Sequence, residues 1–170
     1  HDQSSAASDV YKRQHMLNSD GGIEADLTVV SVDENHFRII SSAATRERDK
    51  HHIKKHLNKD IELEDVTDDY CVFGLFGPKS RDLMNSLSNN NFSNENFRFG
   101  TAKFISIEDT KIWTQRLSYV GELGYELYVE VKDAKKIYEL LVNKGKDFNL
   151  SNCGMHAMDI MRMESGFLHW

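Results

Sequence analysis

The stretch LSYVGELGYELY, residues 117–128, decides the fold and raises the first question about function. Its second half alternates as a β-strand does, which places Glu126 and Tyr128 on one face and Tyr125 and Leu127 on the other. Two glycines interrupt the segment, although glycine weakens a strand that only packs. Two interpretations stay equally open: a bulge with exposed acids, or a carboxylate that accepts hydrogen bonds from a heterocycle, with the glycines letting the ligand approach.

The composition is that of a globular domain. The chain has 170 residues, of which 39% are hydrophobic and 28% charged, enough to bury a core without cross-links. Its net charge of −6 and the lack of a basic stripe argue against a nucleic-acid partner. The basic run at 46–57 includes acids and predicts a solvated helix face. The sequence contains no apolar run of about 18 residues, so it predicts no membrane span.

The two cysteines, Cys71 and Cys153, form no CxxC motif, and no set of residues has the spacing of a metal site. We therefore expect no metal and a reducing compartment. Residues 1–14 have no periodicity and no apolar core of a signal peptide, and DVYKRQ resembles translated adapter sequence. We interpret residues 1–14 as a non-native extension and residues 15–170 as one domain, truncated at both ends.

The remaining pattern mixes strands and helices. Alternation and turn residues predict strands at 23–32, 36–41, 61–66, 70–77, 103–109, 111–118 and 124–131, with the apolar strand 70–77 in the centre of a sheet. Helical periodicity and caps predict helices at 44–57, 78–87, 133–147 (N-cap Asp133) and 155–166. Such an order indicates an α+β fold with mixed or antiparallel sheets and flanking helices.

Asp26 is an acid inside a strand that is rich in valine. Its simplest interpretation is a solvated side chain. If it points inward instead, burial raises the pKa of the carboxyl and makes it a plausible proton acceptor.

Several separate blocks together resemble one family. The blocks MLNSDGGIEADLTV (16–29), DVTDDYCVFGLFGPKSRDLM (65–84), FRFGTAKFISI (97–107), RLSYVGELGYELYV (116–129) and GMHAMDIMRMESGFLHW (154–170) resemble the folate-binding aminomethyltransferase module, the T-protein fold of the glycine cleavage system. T-proteins usually have the patterns GGIxDD and ARDxLRLEAG. In this chain Ala25 replaces the first aspartate of GGIxDD, and Met158 replaces the arginine of ARD. These departures resemble the C-terminal module of dimethylglycine and sarcosine dehydrogenases.

The resemblance implies a set of site residues. Asp26 matches the family's catalytic acid beside the reactive folate nitrogens, and Thr28 matches a folate-binding position. Glu126, Leu127 and Tyr128 match the segment that grips the pterin, where Glu126 accepts two ring N–H groups. Glu122 and Arg162 are weaker candidates for supporting the site.

The resemblance also implies a function. Tetrahydrofolate would capture the one-carbon unit of an N-methylated glycine-derived iminium as 5,10-methylenetetrahydrofolate, while FAD belongs to an upstream flavin domain of the parent chain. Three alternatives stay open. One is a stand-alone aminomethyltransferase or related folate-dependent demethylase, and another is a non-catalytic folate-binding protein of iron–sulfur assembly or tRNA modification. The third is that the isolated 170 residues are inactive, because the remaining domain of the fold normally completes the pocket. The family implies the bacterial cytoplasm or the mitochondrial matrix, and it leaves the amine substrate and the oligomeric state open.

Overall fold

A computed structural model describes residues 11–168 of the chain. These residues form two compact units, one that ends at Asp65 and one that begins at Val66. Each unit contains its own antiparallel sheet. Among the described residues, no helix is long and apolar enough to cross a membrane.

The N-terminal unit is built on a three-stranded antiparallel sheet in the order β1-β2-β3. Its strands are β1 (Tyr11–Leu17), β2 (Ile23–Ser31) and β3 (Phe37–Ile40). The predicted hairpin at 23–32 and 36–41 is therefore confirmed. In the turn after β1, the Oδ1 atom of Asn18 accepts hydrogen bonds from the backbone N–H groups of Asp20 and Gly22.

Strand β1 was not predicted. It includes residues 11–14, which the sequence pattern assigned to a non-native extension outside the fold, and it pairs with β2 from Tyr11 to Leu17. Leaving these four residues out of the fold was wrong as regards the structure. The origin of residues 1–14 and the domain assignment for residues 15–170 stay predictions, and residues 1–10 lie outside the described part of the chain.

Helix α1 (Arg46–His56) confirms the helix predicted at 44–57. The strand predicted at 61–66 is wrong, because this segment has no regular secondary structure. Its Asp65 carboxylate instead accepts hydrogen bonds from Arg46 Nε at 3.0 Å and Lys50 Nζ at 2.9 Å. The segment is thus held by side-chain ion pairs to α1, and no strand among the described residues pairs with it.

The C-terminal unit contains a four-stranded antiparallel sheet in the order β4-β7-β6-β5. Its strands are β4 (Tyr70–Phe76), β5 (Ala102–Ile107), β6 (Thr110–Gln115) and β7 (Gly124–Glu130). The four predicted strands are confirmed. The position predicted for β4 is wrong, since β4 lies at an edge and β7 lies in the centre.

Three helices accompany this sheet: α2 (Ser80–Leu87), α3 (Val131–Gly145) and α4 (Met155–Glu164). One face of the sheet forms the core, in which Tyr125, Leu127 and Val129 of β7 pack with Ile137 and Leu141 of α3. Helix α3 begins two residues earlier than predicted. Its N-cap is Glu130, and Asp133 lies in the first turn, where a negative charge complements the helix dipole. The α+β fold class with antiparallel sheets is confirmed.

Candidate functional site

The candidate site in the C-terminal unit is a row of polar side chains on the face of β7 opposite the core. Glu126 lies directly across from Gln115 in the register of β6 and β7, and Tyr128 lies two residues further along β7. The Tyr128 hydroxyl donates to Glu126 Oε2 at 2.8 Å. Gln115 Nε2 donates to the same hydroxyl oxygen at 3.2 Å. The same-face placement of Glu126 and Tyr128 expected from the sequence is confirmed.

Burial sets the electrostatics of this row. The Glu126 carboxylate is partly buried, while Tyr128 is 7% exposed and Gln115 is fully buried. Desolvation raises the pKa of Glu126, and the hydrogen bond from Tyr128 opposes that shift in part. The environment therefore resists a charge on Glu126 unless further donors arrive.

The donor supply to Glu126 is small. Among the described residues, the one hydrogen bond to this carboxylate is that from Tyr128. An ionised carboxylate accepts about four hydrogen bonds in total. The site thus has unused acceptor capacity in a place that is poorly accessible to water.

Leu127 has a different environment from its two neighbours. Its side chain is 0% exposed and belongs to the hydrophobic core on the other face of the sheet. A ligand on the face of Glu126 would reach the backbone of Leu127 and not its side chain.

Backbone conformation and packing within the protein explain the two glycines of residues 117–128. Gly121 has a φ of +77°, which favours glycine, and a Cβ there would lie 2.4 Å from Ser165 Oγ. A Cβ on Gly124 would lie 2.4 Å from Phe76 Cδ1 and 3.0 Å from the carbonyl oxygen of Leu117. The space beside these glycines is occupied by the protein, so the hypothesis that they admit a ligand is not needed.

The weaker candidates lie near this motif or on α4. Glu122 is exposed. Arg162 Nε donates to Asp159 Oδ1 at 3.0 Å, and its Nη1 donates to the carbonyl oxygen of Phe167 at 2.9 Å. Arg162 is therefore an ion-pair residue that also binds the end of its own helix.

Asp26 and Thr28 lie on β2 of the N-terminal unit and share a strand face. The side chain of Asp26 is 14% exposed and forms a bidentate ion pair with Arg13 of β1, in which Nε lies 3.0 Å from Oδ1. His15 Nε2 lies 3.6 Å from the same oxygen. Asp26 is thus mostly covered and paired, which differs from the fully solvated interpretation.

The structure brings the predicted residues together as two sets. Asp26 and Thr28 are neighbours in the N-terminal unit, and Glu126 and Tyr128 are hydrogen-bonded neighbours in the C-terminal unit. Gln115 was not predicted, because nothing in its own sequence context marks it. Only the register of β6 against β7 could have identified it.

Two histidines of α1, His52 and His56, lie close together. The rings of His52 and His56 lie with their centroids 4.6 Å apart, and His56 Nδ1 lies 2.9 Å from the carbonyl oxygen of His52. Within residues 11–168, no group of three or more histidine, cysteine or acidic side chains could hold a metal ion. Cys71 and Cys153 are free thiols.

Comparison with known proteins identifies the family. Residues 5–170 match the model of the GCVT N-terminal domain, and the chain belongs to this family. The resemblance drawn from the sequence blocks is thereby confirmed.

Two curated relatives are amine-oxidising enzymes by name. The chain is 31% identical over 159 residues to the mitochondrial dimethylglycine dehydrogenase of Homo sapiens, which covers 92% of this chain and 18% of that protein. It is 33% identical over 154 residues to a 4-methylaminobutanoate oxidase (formaldehyde-forming) of Paenarthrobacter nicotinovorans, covering 90% and 19%. The chain thus spans about a fifth of the length of these relatives.

Two further similarities are to aminomethyltransferases. The chain is 28% identical over 151 residues to the aminomethyltransferase of Flavobacterium psychrophilum, covering 88% of this chain and 41% of that protein. The crystal structure of the glycine cleavage system aminomethyltransferase T of Bartonella henselae matches 94% of this chain and 42% of its own, with a TM-score of 0.75 and 21% identity. This structural likeness confirms the fold.

Proposed function

We propose that this chain is a tetrahydrofolate-binding, one-carbon transfer module of a dimethylglycine or sarcosine dehydrogenase-type enzyme. The single observation that carries the proposal is the partly buried Glu126 carboxylate, which receives one hydrogen bond from the described residues and has capacity for more. The pterin ring of folate presents several N–H donors along one edge. Paired, charge-assisted hydrogen bonds to Glu126 would orient such a ring and restore the solvation that burial removes.

Glu126 and Tyr128 would hold the ring, with Leu127 supplying backbone and core support. From its position in the motif that resembles the family, we propose Thr28 as a further folate-binding residue. When bound, tetrahydrofolate supplies two nitrogens that accept the one-carbon unit of the iminium to give 5,10-methylenetetrahydrofolate. Each of the two nitrogens gives up one proton as it bonds to the carbon, and the amine departs with both protons in its ammonium form. Asp26 would accept a proton from the attacking nitrogen and hand it to the departing amine, so that its own protonation state is restored at the end.

The partners follow from the same proposal. The names of two relatives describe the oxidation of N-methylated amines, which is the chemistry that generates an iminium. We therefore infer a flavin domain with FAD elsewhere in the parent chain. We place the protein in the mitochondrial matrix or the bacterial cytoplasm, following the organisms and the compartment named for its relatives.

A stand-alone aminomethyltransferase is the second candidate. It is favoured by the 28% identity to an aminomethyltransferase, of which the chain covers a larger share (41%) than it does of the dehydrogenase. The two candidates share the folate site and differ in the donor of the one-carbon unit. Transfer that requires a lipoyl-bound aminomethyl group, and does not proceed from an iminium, would favour the second.

The test of the proposed function is calorimetric titration with tetrahydrofolate. Glu126→Ala is expected to weaken binding at least about tenfold, or on the order of 1.4 kcal/mol, as expected for the loss of a charged hydrogen-bond partner. Glu130→Ala is the matched control. Glu130 lies on the same strand and the same face but is exposed and paired with Lys132 at 2.5 Å, so its loss should leave the affinity unchanged. Equal effects of the two substitutions would contradict the proposal.

A further inference from the structure

The hydrogen bonds from Gln115 to Tyr128 and from Tyr128 to Glu126 run in one direction. The amide nitrogen of Gln115 can only donate, so the Tyr128 oxygen accepts from it at 3.2 Å. The tyrosine has a single hydroxyl proton, and this proton points to Glu126 Oε2 at 2.8 Å. Because consecutive hydrogen bonds polarise one another, donation from Gln115 strengthens the donation from Tyr128.

The environment of Gln115 indicates what its amide does. The side chain is 0% exposed, and its Oε1 atom has no hydrogen-bond partner among the described residues. An unsatisfied buried acceptor costs free energy that an apolar side chain of the same size would avoid. The contact that this amide makes in return is the donation to Tyr128.

We propose that Gln115 is a positioning residue of this site, which acts through Tyr128 to hold the Glu126 carboxylate in a fixed orientation. The chain of hydrogen bonds occupies Oε2 of Glu126. It leaves Oε1 without a partner among the described residues and therefore available to a ligand donor. The role of these hydrogen bonds in ligand binding rests on the proposed function, whereas the orientation of Glu126 does not.

Few other ionisable groups share this face of the sheet. Strand register places Tyr70 and Glu130 in the next row beyond Tyr128, and Lys111 is two residues from Trp113 on β6, with its Nζ 4.2 Å from the Phe104 ring centroid. At about 3.3 Å per residue, Glu130 is roughly 13 Å along the strand from Glu126. In the ligand-free protein, a titration observed at Gln115 near the ordinary range of a carboxyl would therefore report on Glu126.

The first experiment follows the ligand-free protein by NMR and needs no substitution of Gln115. The side-chain amide signals of Gln115 are recorded against pH, together with the carboxyl ¹³C signal of Glu126, which Glu126→Gln identifies by its disappearance. Both signals are expected to move with the same midpoint. In Tyr128→Phe, the Glu126 midpoint should move up, because the carboxylate loses a donor, and the Gln115 signals should no longer follow it.

The second experiment separates positioning from direct contact. Gln115→Met removes the donor while keeping the length of the side chain, and it is expected to weaken tetrahydrofolate binding roughly fivefold, the usual worth of one hydrogen bond. In a Tyr128→Phe background the same substitution should have no further effect. Thr114→Val is the matched control. Thr114 is the fully buried neighbour on β6, and its hydroxyl also has no hydrogen-bond partner among the described residues, but it points to the other face.

The outcomes distinguish this inference from the proposed function. If the protein binds no tetrahydrofolate but the Gln115 and Glu126 signals share a midpoint, the proposed function fails and the positioning of Glu126 stands. If the Gln115 signals do not follow Glu126, the inference is overturned whatever the ligand. A loss of affinity in Gln115→Met that persists undiminished in the Tyr128→Phe background would also overturn it, because Gln115 would then act independently of Tyr128.

Discussion

Replacing Gly124 by alanine would test the packing that fixes the start of β7. A Cβ at this position would lie 2.4 Å from Phe76 Cδ1, 3.0 Å from the carbonyl oxygen of Leu117 and 3.2 Å from that of Leu75. Two of these contacts are with backbone, and the carbonyl of Leu75 belongs to β4, which cannot move without disturbing its pairing with β7. The substitution therefore adds one methyl group where no space exists.

The expected cost of Gly124→Ala is about 2 kcal/mol of unfolding free energy, within the range of about 1–3 kcal/mol for overpacking. For a chain of this size, that corresponds to a fall in Tm of about 4–8 °C. Equilibrium urea unfolding and thermal scans would measure both.

A second substitution shows where the cost originates. In a Phe76→Leu background the closest contact is relieved, so Gly124→Ala should cost less there, although the carbonyl contacts remain. A change in unfolding free energy of less than about 0.5 kcal/mol in the single variant would refute this account of why the motif contains glycine.

Two further predictions concern the carboxylates. Burial raises the pKa of Glu126 in the folded state above its ordinary value of 4.5. The folded protein therefore binds this proton more tightly than the unfolded chain does, and proton binding contributes to the free energy of unfolding below pH 4.5. That contribution is lost as the pH rises from 4.5 through the raised pKa. Glu126→Gln cannot ionise and should not lose stability in this way. In urea unfolding, the free energy of unfolding of Glu126→Gln relative to wild type should therefore increase over this pH range. A difference that does not change with pH would contradict the reasoning. In the parent enzyme, Asp26→Asn should lower kcat about a hundredfold or more while changing tetrahydrofolate affinity less than about threefold, because an amide cannot accept the proton. Equal losses in turnover and affinity would show that Asp26 is a binding group.

The pattern of apolar and polar residues was sufficient for most elements of the fold. Strands β5, β6 and β7 alternate clearly and have turn residues between them, so their positions could be predicted to within a few residues. The position of β4 in the sheet could not, since a continuous apolar run predicts burial on both faces but not the order of strands.

Two segments show why local pattern is insufficient. Strand β1, with the sequence YKRQHML, has few apolar residues, and its pairing with β2 brings charged side chains such as Arg13 against Asp26. Residues 61–66 alternate well, but no strand within residues 11–168 pairs with them. In both cases long-range contacts decide the structure, and these are absent from the local sequence.

In the candidate site, contacts within one strand could be predicted from the sequence, whereas contacts between strands could not. The two-residue period placed Glu126 and Tyr128 together, because they lie on one strand. Gln115 joins them from another strand through a register that only tertiary structure fixes. The Arg13 partner of Asp26 was missed because its segment was excluded from the fold.

The central claim is that this chain recognises the bicyclic ring of tetrahydrofolate through Glu126. Calorimetry of the wild-type protein with tetrahydrofolate, and separately with p-aminobenzoylglutamate, which lacks the ring, tests it most directly. The account predicts saturable binding of one tetrahydrofolate per chain and no binding of p-aminobenzoylglutamate at the same concentrations. Equal binding of both compounds, or binding of neither, would contradict it.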